Sequence, residues 1–172
     1  NAGRLTVKDL LEAGWSGREI RYWLLSSHYR KPVVFSEERL RFARSSLQRL
    51  DACVDNLKQY GGGKAYAELD QLLYDLKNGF SAGMDDDLNI SAAFAVIFRV
   101  VKQLNRLTAQ KQLSLDQVEP VFEGLRNIDS VLGIFNFEPV GIDSRVQQLL
   151  QEREQARKEK NWRLADQIRD QL

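Results

Sequence analysis

Leu40, Ala43, Leu47, Leu50, Val54 and Leu57 recur at alternating spacings of three and four residues. At about 3.6 residues per turn, that spacing gathers all six along one side of a single helix. An apolar stripe of this length must be buried against another rod, so it commits the segments around it to helical partners. Alternation of apolar and polar residues, the mark of a half-buried strand, is nearly absent, and the chain has three prolines. The expected fold class is all-α, an antiparallel helical bundle.

Capping and breaking residues place the other helices. Thr6 is positioned to cap a short helix through Ala13, closed by Gly14. Ser16-Gly17-Arg18-Glu19 forms a capping box, in which serine hydroxyl and glutamate carboxylate each satisfy a free backbone N–H. The helix it opens turns Ile20, Trp23 and Leu24 inward and stops before Pro32. Ser36 caps the seam helix, and Gly61-Gly62-Gly63 ends it. Ala65, Leu69, Leu72, Leu73, Leu76 and Phe80 mark a return helix. Asn89, or the aspartates before it, starts the next, with Phe94, Ile97, Val101 and Leu104 inward. Ser114-Leu115-Asp116-Gln117 is a second capping box, opening a helix with Val118, Phe122, Leu125, Leu132 and Phe135 on one side. Residues 133–141 read as a linker to two short helices, roughly 143–158 and 162–172, with Asn161 capping the second. The expected organisation is a connector over residues 1–35, a bundle over 36–138 and a helical hairpin over 139–172.

Apolar residues at 43 % and charged residues at 28 % describe a globular chain. No apolar run approaches the ~18–20 residues that cross a bilayer, and no secretory leader opens the sequence. The single Cys53 excludes an intramolecular disulfide and a Cys-rich zinc site, so a cytoplasmic protein without a membrane partner is expected. Asn1-Ala2 fits the remnant of a cloning scar and carries no weight. The net charge of +1 hides an uneven spread. Residues 1–50 hold ten Lys/Arg against five Asp/Glu, and residues 51–100 hold four against eight. Residues 101–144 sum to −2 and 145–172 to +2. Basic ends on an acidic middle suit a phosphate backbone at the ends.

Groups able to carry catalysis are scarce. His28 is the only histidine, and Cys53 falls on the apolar seam, where a buried, inert thiol is expected. Gly61-Gly62-Gly63-Lys64 joins two helices rather than a strand to a helix, so it reads as a turn and not a phosphate loop. Asp85-Asp86-Asp87 could hold a metal, but carboxylates ahead of a helix more simply cap its N–H groups and complement its dipole. The better candidates are basic. Arg18, Arg21 and His28 fall within about 80° of arc on one helix at 100° per residue, and Arg30 and Lys31 extend that patch to Pro32. Arginine forks grip phosphates or carboxylates through paired hydrogen bonds. Arg157 and Lys160, among Arg153, Lys158 and Arg163, give a second basic surface, with Glu152, Glu154 and Glu159 interleaved as intrahelical partners.

Three segments together carry a resemblance: Arg21-Tyr22-Trp23-Leu24-Leu25-Ser26-Ser27-His28-Tyr29-Arg30, then Met84-Asp85-Asp86-Asp87-Leu88-Asn89, then Ala156-Arg157 through Asn161-Trp162 to Ala165-Asp166, Ile168-Arg169 and Leu172. In this order they resemble the carboxy-terminal helical region of cysteinyl-tRNA synthetases. The family's pattern has Thr after the asparagine, where this chain has Ile90. The resemblance implies the anticodon-side bundle of a class I synthetase, facing tRNA(Cys) and the catalytic domain of the same chain. It implies that L-cysteine, ATP with magnesium, and zinc are handled by that domain, with no catalytic or metal residue here. The mobile Lys-Met-Ser-Lys-Ser loop of such enzymes would precede Gly3. The family's small anticodon-touching domain is expected beyond Leu172, leaving scaffolding and nonspecific tRNA contact to these residues. A related ligase joining cysteine to an amino sugar shares similar helices, and a helical protein-interaction domain is the alternative of another class.

Overall fold

The computed structural model describes residues 5–138. The chain divides into two units, Asn1–Asn136 and Phe137–Leu172, and the first is described below. Its helices are α1 (Val7–Glu12), α2 (Gly17–Leu25), α3 (Glu37–Lys58), α4 (Leu69–Asp85), α5 (Ile90–Ala109) and α6 (Val118–Leu132), the last preceded by a 3-10 turn at Leu115–Gln117. No strand occurs among the described residues. The expected all-α class is what the described residues adopt. The expected hairpin helices after residue 142, with Arg157 and Lys160, lie outside the described residues.

All six seam residues of α3 are buried, with Cys53 and Ser46 beside them. The seam meets α2 on one side and α5 on another, while α4 packs along α5 and against α6. Tyr22 stacks on Phe94 at 4.8 Å between centroids, tying α2 to α5. On α5 the buried face holds Phe94, Ile97, Val101 and Leu104, as its spacing predicts. Burying each such side chain contributes about 1.5–3 kcal/mol, and this common core holds the bundle together.

The caps of α1, α2, α3 and α5 form where the sequence places them, whereas the Ser114 segment opens a 3-10 turn ahead of α6. Thr6 and Asp9 close a capping box on α1, and Ser16 and Glu19 close another on α2. Asn89 caps α5 by accepting from the Ala92 N–H at 3.2 Å. Gly63 serves a close approach: a Cβ there would lie 2.0 Å from the Lys111 carbonyl oxygen, across which the Lys64 N–H donates at 2.9 Å. Gly83 serves another, since a Cβ would meet the Ala93 nitrogen of α5 at 2.9 Å.

Four expectations need correction. Leu24 is exposed, and Tyr22 takes its place in the core. Glu19, Ile20, Tyr22 and Trp23 define the buried face, and Leu24 lies about 120° from its centre at 100° per residue. The return helix starts at Leu69 rather than Ala65, because the Gln117 amide holds Tyr66 in a turn, accepting from its N–H and donating to its carbonyl, both at 2.8 Å. Helix α2 ends at Leu25, so His28 lies in the loop after it and shares no helical arc with Arg18 and Arg21. Finally, the expected linker at Gly133 begins inside the core. Ile134 and Phe135 are buried, their N–H groups donating to Asp129 at 2.6 and 2.9 Å.

Candidate nucleic-acid interface

The amino-terminal basic residues separate into two groups. Arg18 forks onto Asp51 of α3 at 2.7 and 3.2 Å and also donates to the Ile134 carbonyl at 2.7 and 3.1 Å. Arg21 donates to the Leu132 carbonyl and, at 3.5 Å, to that of Val131. Both guanidinium groups therefore sit at the carboxy-terminal end of α6, where free carbonyls and the helix dipole favour a cation. They hold α2, α3 and the end of α6 in register.

His28, Tyr29 and Arg30 instead converge on Asp87. The Tyr29 hydroxyl donates to Asp87 at 2.6 Å, and Arg30 donates to the same oxygen at 2.9 Å and to the Tyr29 hydroxyl at 2.9 Å. The His28 ring stacks on Tyr29, its Nε2 lying 3.7 Å from Asp87. Tyr29 and Arg30, with His28 nearby, hold the Asp87 carboxyl below the usual carboxylate range. The same hydrogen bond to Asp87 raises the Tyr29 hydroxyl. Lys31 is exposed beside this cluster. Asp87 and the following Leu88 have φ of 49° and 55°, left-handed values rare outside glycine.

The three aspartates thus divide their work, and none caps α5 directly. Asp85 ends α4, Asp86 accepts from the Asn89 side-chain amide at 3.0 Å and steadies the capping residue, and Asp87 faces the loop of His28. No group of three His, Cys, Asp or Glu able to hold a metal occurs among the described residues. Cys53 is buried, with its thiol pushed up to about 12 by burial, which is unsuited to a thiolate ligand or nucleophile. These donors do not fit zinc.

One basic surface escapes a tally by sequence blocks. Arg99, Lys102 and Arg106 are exposed on α5, a helix with no Asp or Glu, whereas every other described helix carries at least one. Dividing the charge count at residue 100 splits this stripe into two acidic blocks. A count taken helix by helix would have found it.

Residues 79–136, covering the end of α4 and all of α5 and α6, match the DALR domain, so this stretch is of the DALR type. Residues 140–172 match the cysteinyl-tRNA ligase anticodon binding domain. Similar proteins are cysteine–tRNA ligases of Protochlamydia amoebophila, 35 % identical over 96 % of this chain, and of Chlamydia muridarum, 36 % identical over 97 %. That of Chlamydia abortus is 39 % identical over 97 % of this chain. The chain belongs to the cysteinyl-tRNA ligase family. It spans 35 %, 37 % and 36 % of the length of these three relatives. The match over 140–172 corrects one expectation: anticodon-domain sequence is present within this chain.

Proposed function

We propose that this chain is the tRNA-facing helical part of a cysteine–tRNA ligase, the whole enzyme attaching L-cysteine to tRNA(Cys) with ATP. The anticodon-binding match at 140–172, directly after the DALR match, carries this reading. It also favours the synthetase over an amino sugar ligase, which has no anticodon to meet. Activation of cysteine, with ATP, magnesium and zinc, belongs in this reading to the rest of the enzyme, in the cytoplasm. The fragment alone is inactive.

Residues 1–35 act as the connector to the catalytic domain, 36–138 as the bundle and 139–172 as the anticodon-side element. Supporting the first assignment, Leu5, Val7, Leu11, Val33, Val34 and Phe35 are exposed apolar residues within that segment. Exposed apolar side chains in such number suit a protein neighbour. His28, Arg30 and Lys31, with Arg157 and Lys160, are the proposed tRNA contacts, and Arg18 and Arg21 position the helices behind them. The test is a titration of labelled tRNA(Cys) with this chain at several salt concentrations. Saturable binding that weakens with salt is expected. No binding near 50 mM salt would overturn the assignment.

A further inference from the structure

From the geometry of α5 we infer a second RNA-binding face, made of Arg99, Lys102 and Arg106, that takes a phosphate backbone without reading sequence. It rests on the RNA reading above but uses residues outside that site. The three side chains fall within about 60° of arc at 100° per residue and span about 10 Å of helix length. All are exposed, and none makes an ion pair among the described residues. Like charges three and four residues apart repel, so this arrangement disfavours the isolated helix. Only Arg106 gains from the helix dipole, lying in the last turn. An ordinary solvated face would interleave acids, as α3 does with Glu37 and Arg41.

A carboxylate does stand across the groove between α4 and α5. Asp75 lines it with Arg99, Lys102 and Arg106, but its side chain accepts from Gln71 at 2.8 Å rather than from a cation. On the other side Arg49 of α3 lies over the Phe98 ring at 4.9 Å, one turn before Lys102, and extends the positive surface. The stripe itself carries no large apolar anchor. Protein interfaces draw their affinity from such anchors, whereas contact with a polyanion draws it from neutralised phosphates. The partner that fits is therefore the backbone of a folded RNA.

The experiment compares the chain with its R99Q/K102Q/R106Q variant against two labelled probes, tRNA(Cys) and an unrelated RNA duplex, by anisotropy over a salt series. Glutamine preserves helix propensity, and circular dichroism with melting temperature verifies the fold. The single K102E variant provides an independent reading. Expected are a loss of about tenfold or more in affinity for both probes and a salt slope lower by about 2–3. Wild-type affinity and slope in the variants overturn the inference, even where tRNA binding itself upholds the proposed function. Salt-dependent binding of both probes without preference for tRNA(Cys), lost in the variant, upholds this face while the cysteine-specific reading fails. Binding of neither probe overturns both and returns the face to an acidic protein partner.

Discussion

Arg18 and Asp51 form a fork between α2 and α3, and the same guanidinium closes on the Ile134 carbonyl from a residue 116 positions away. One side chain therefore joins three parts of the bundle. Arg18→Ala leaves Asp51 and that carbonyl without their charged donor. A loss of about 1–3 kcal/mol is expected, read by denaturant unfolding. Asp51→Asn should cost less, because the carbonyl bond survives. A double-mutant cycle should return a coupling energy above zero, and additive losses would mean that the fork contributes nothing.

How much of this was legible beforehand differs by range of interaction. Seams and caps depend on neighbours within one or two turns, so Leu40 through Leu57 and the Ser16–Glu19 box could be read directly. The fate of Arg18 and Arg21 could not, because it depends on where the end of α6 lands, more than a hundred residues later. Local spacing placed them on an open face, whereas tertiary packing gave them carbonyl partners. Local spacing carries that helix on to His28, whereas it stops at Leu25, since nothing local marks the end as firmly as the Ser16 box marks the start. Residues 134 and 135 likewise looked like linker until Asp129 folded them back.

Glu19 predicts a pH dependence. Arg44 is the main cause holding its carboxyl below the usual 4.5, with help from the Ser16 N–H against the opposing effect of burial. A carboxyl depressed by folding stabilises the folded state above its unfolded value, and that contribution disappears as pH falls through the folded value. Wild type should therefore exceed Glu19→Gln by about 1–2 kcal/mol at neutral pH. The gap should close progressively below pH 4.5. Melting curves at several pH values check this, and a gap independent of pH would contradict it.

Asp87 and Leu88 present a backbone prediction. Left-handed φ costs a side-chain-bearing residue roughly 1–2 kcal/mol, while glycine adopts it freely. Leu88 is 49 % exposed, so its removal forfeits little burial. Leu88→Gly should hold or raise the melting temperature, and Leu88→Val, whose branched Cβ tolerates this region poorly, should lower it. Equal effects of the two substitutions would show that φ is not the controlling factor.

Gly61 and Gly63 lie two residues apart and should respond oppositely to alanine. A Cβ at Gly61 meets nothing within 4 Å, so Gly61→Ala should be neutral or stabilise by about 0.4–1 kcal/mol through a less free unfolded chain. At Gly63 the new carbon would stand 2.0 Å from the Lys111 carbonyl oxygen and 2.5 Å from its carbon, both backbone atoms, and 2.8 Å from the Tyr60 hydroxyl. The loop must then separate from the segment after α5, stretching the Lys64 N–H bond to Lys111 and disturbing the Tyr60 hydroxyl, which donates to the Leu113 carbonyl at 2.8 Å. Gly63→Ala should therefore cost about 1–3 kcal/mol, as overpacking does elsewhere. Parallel urea titrations of the two variants give the comparison. Matching midpoints would mean that the close approach of these two loops contributes nothing to stability.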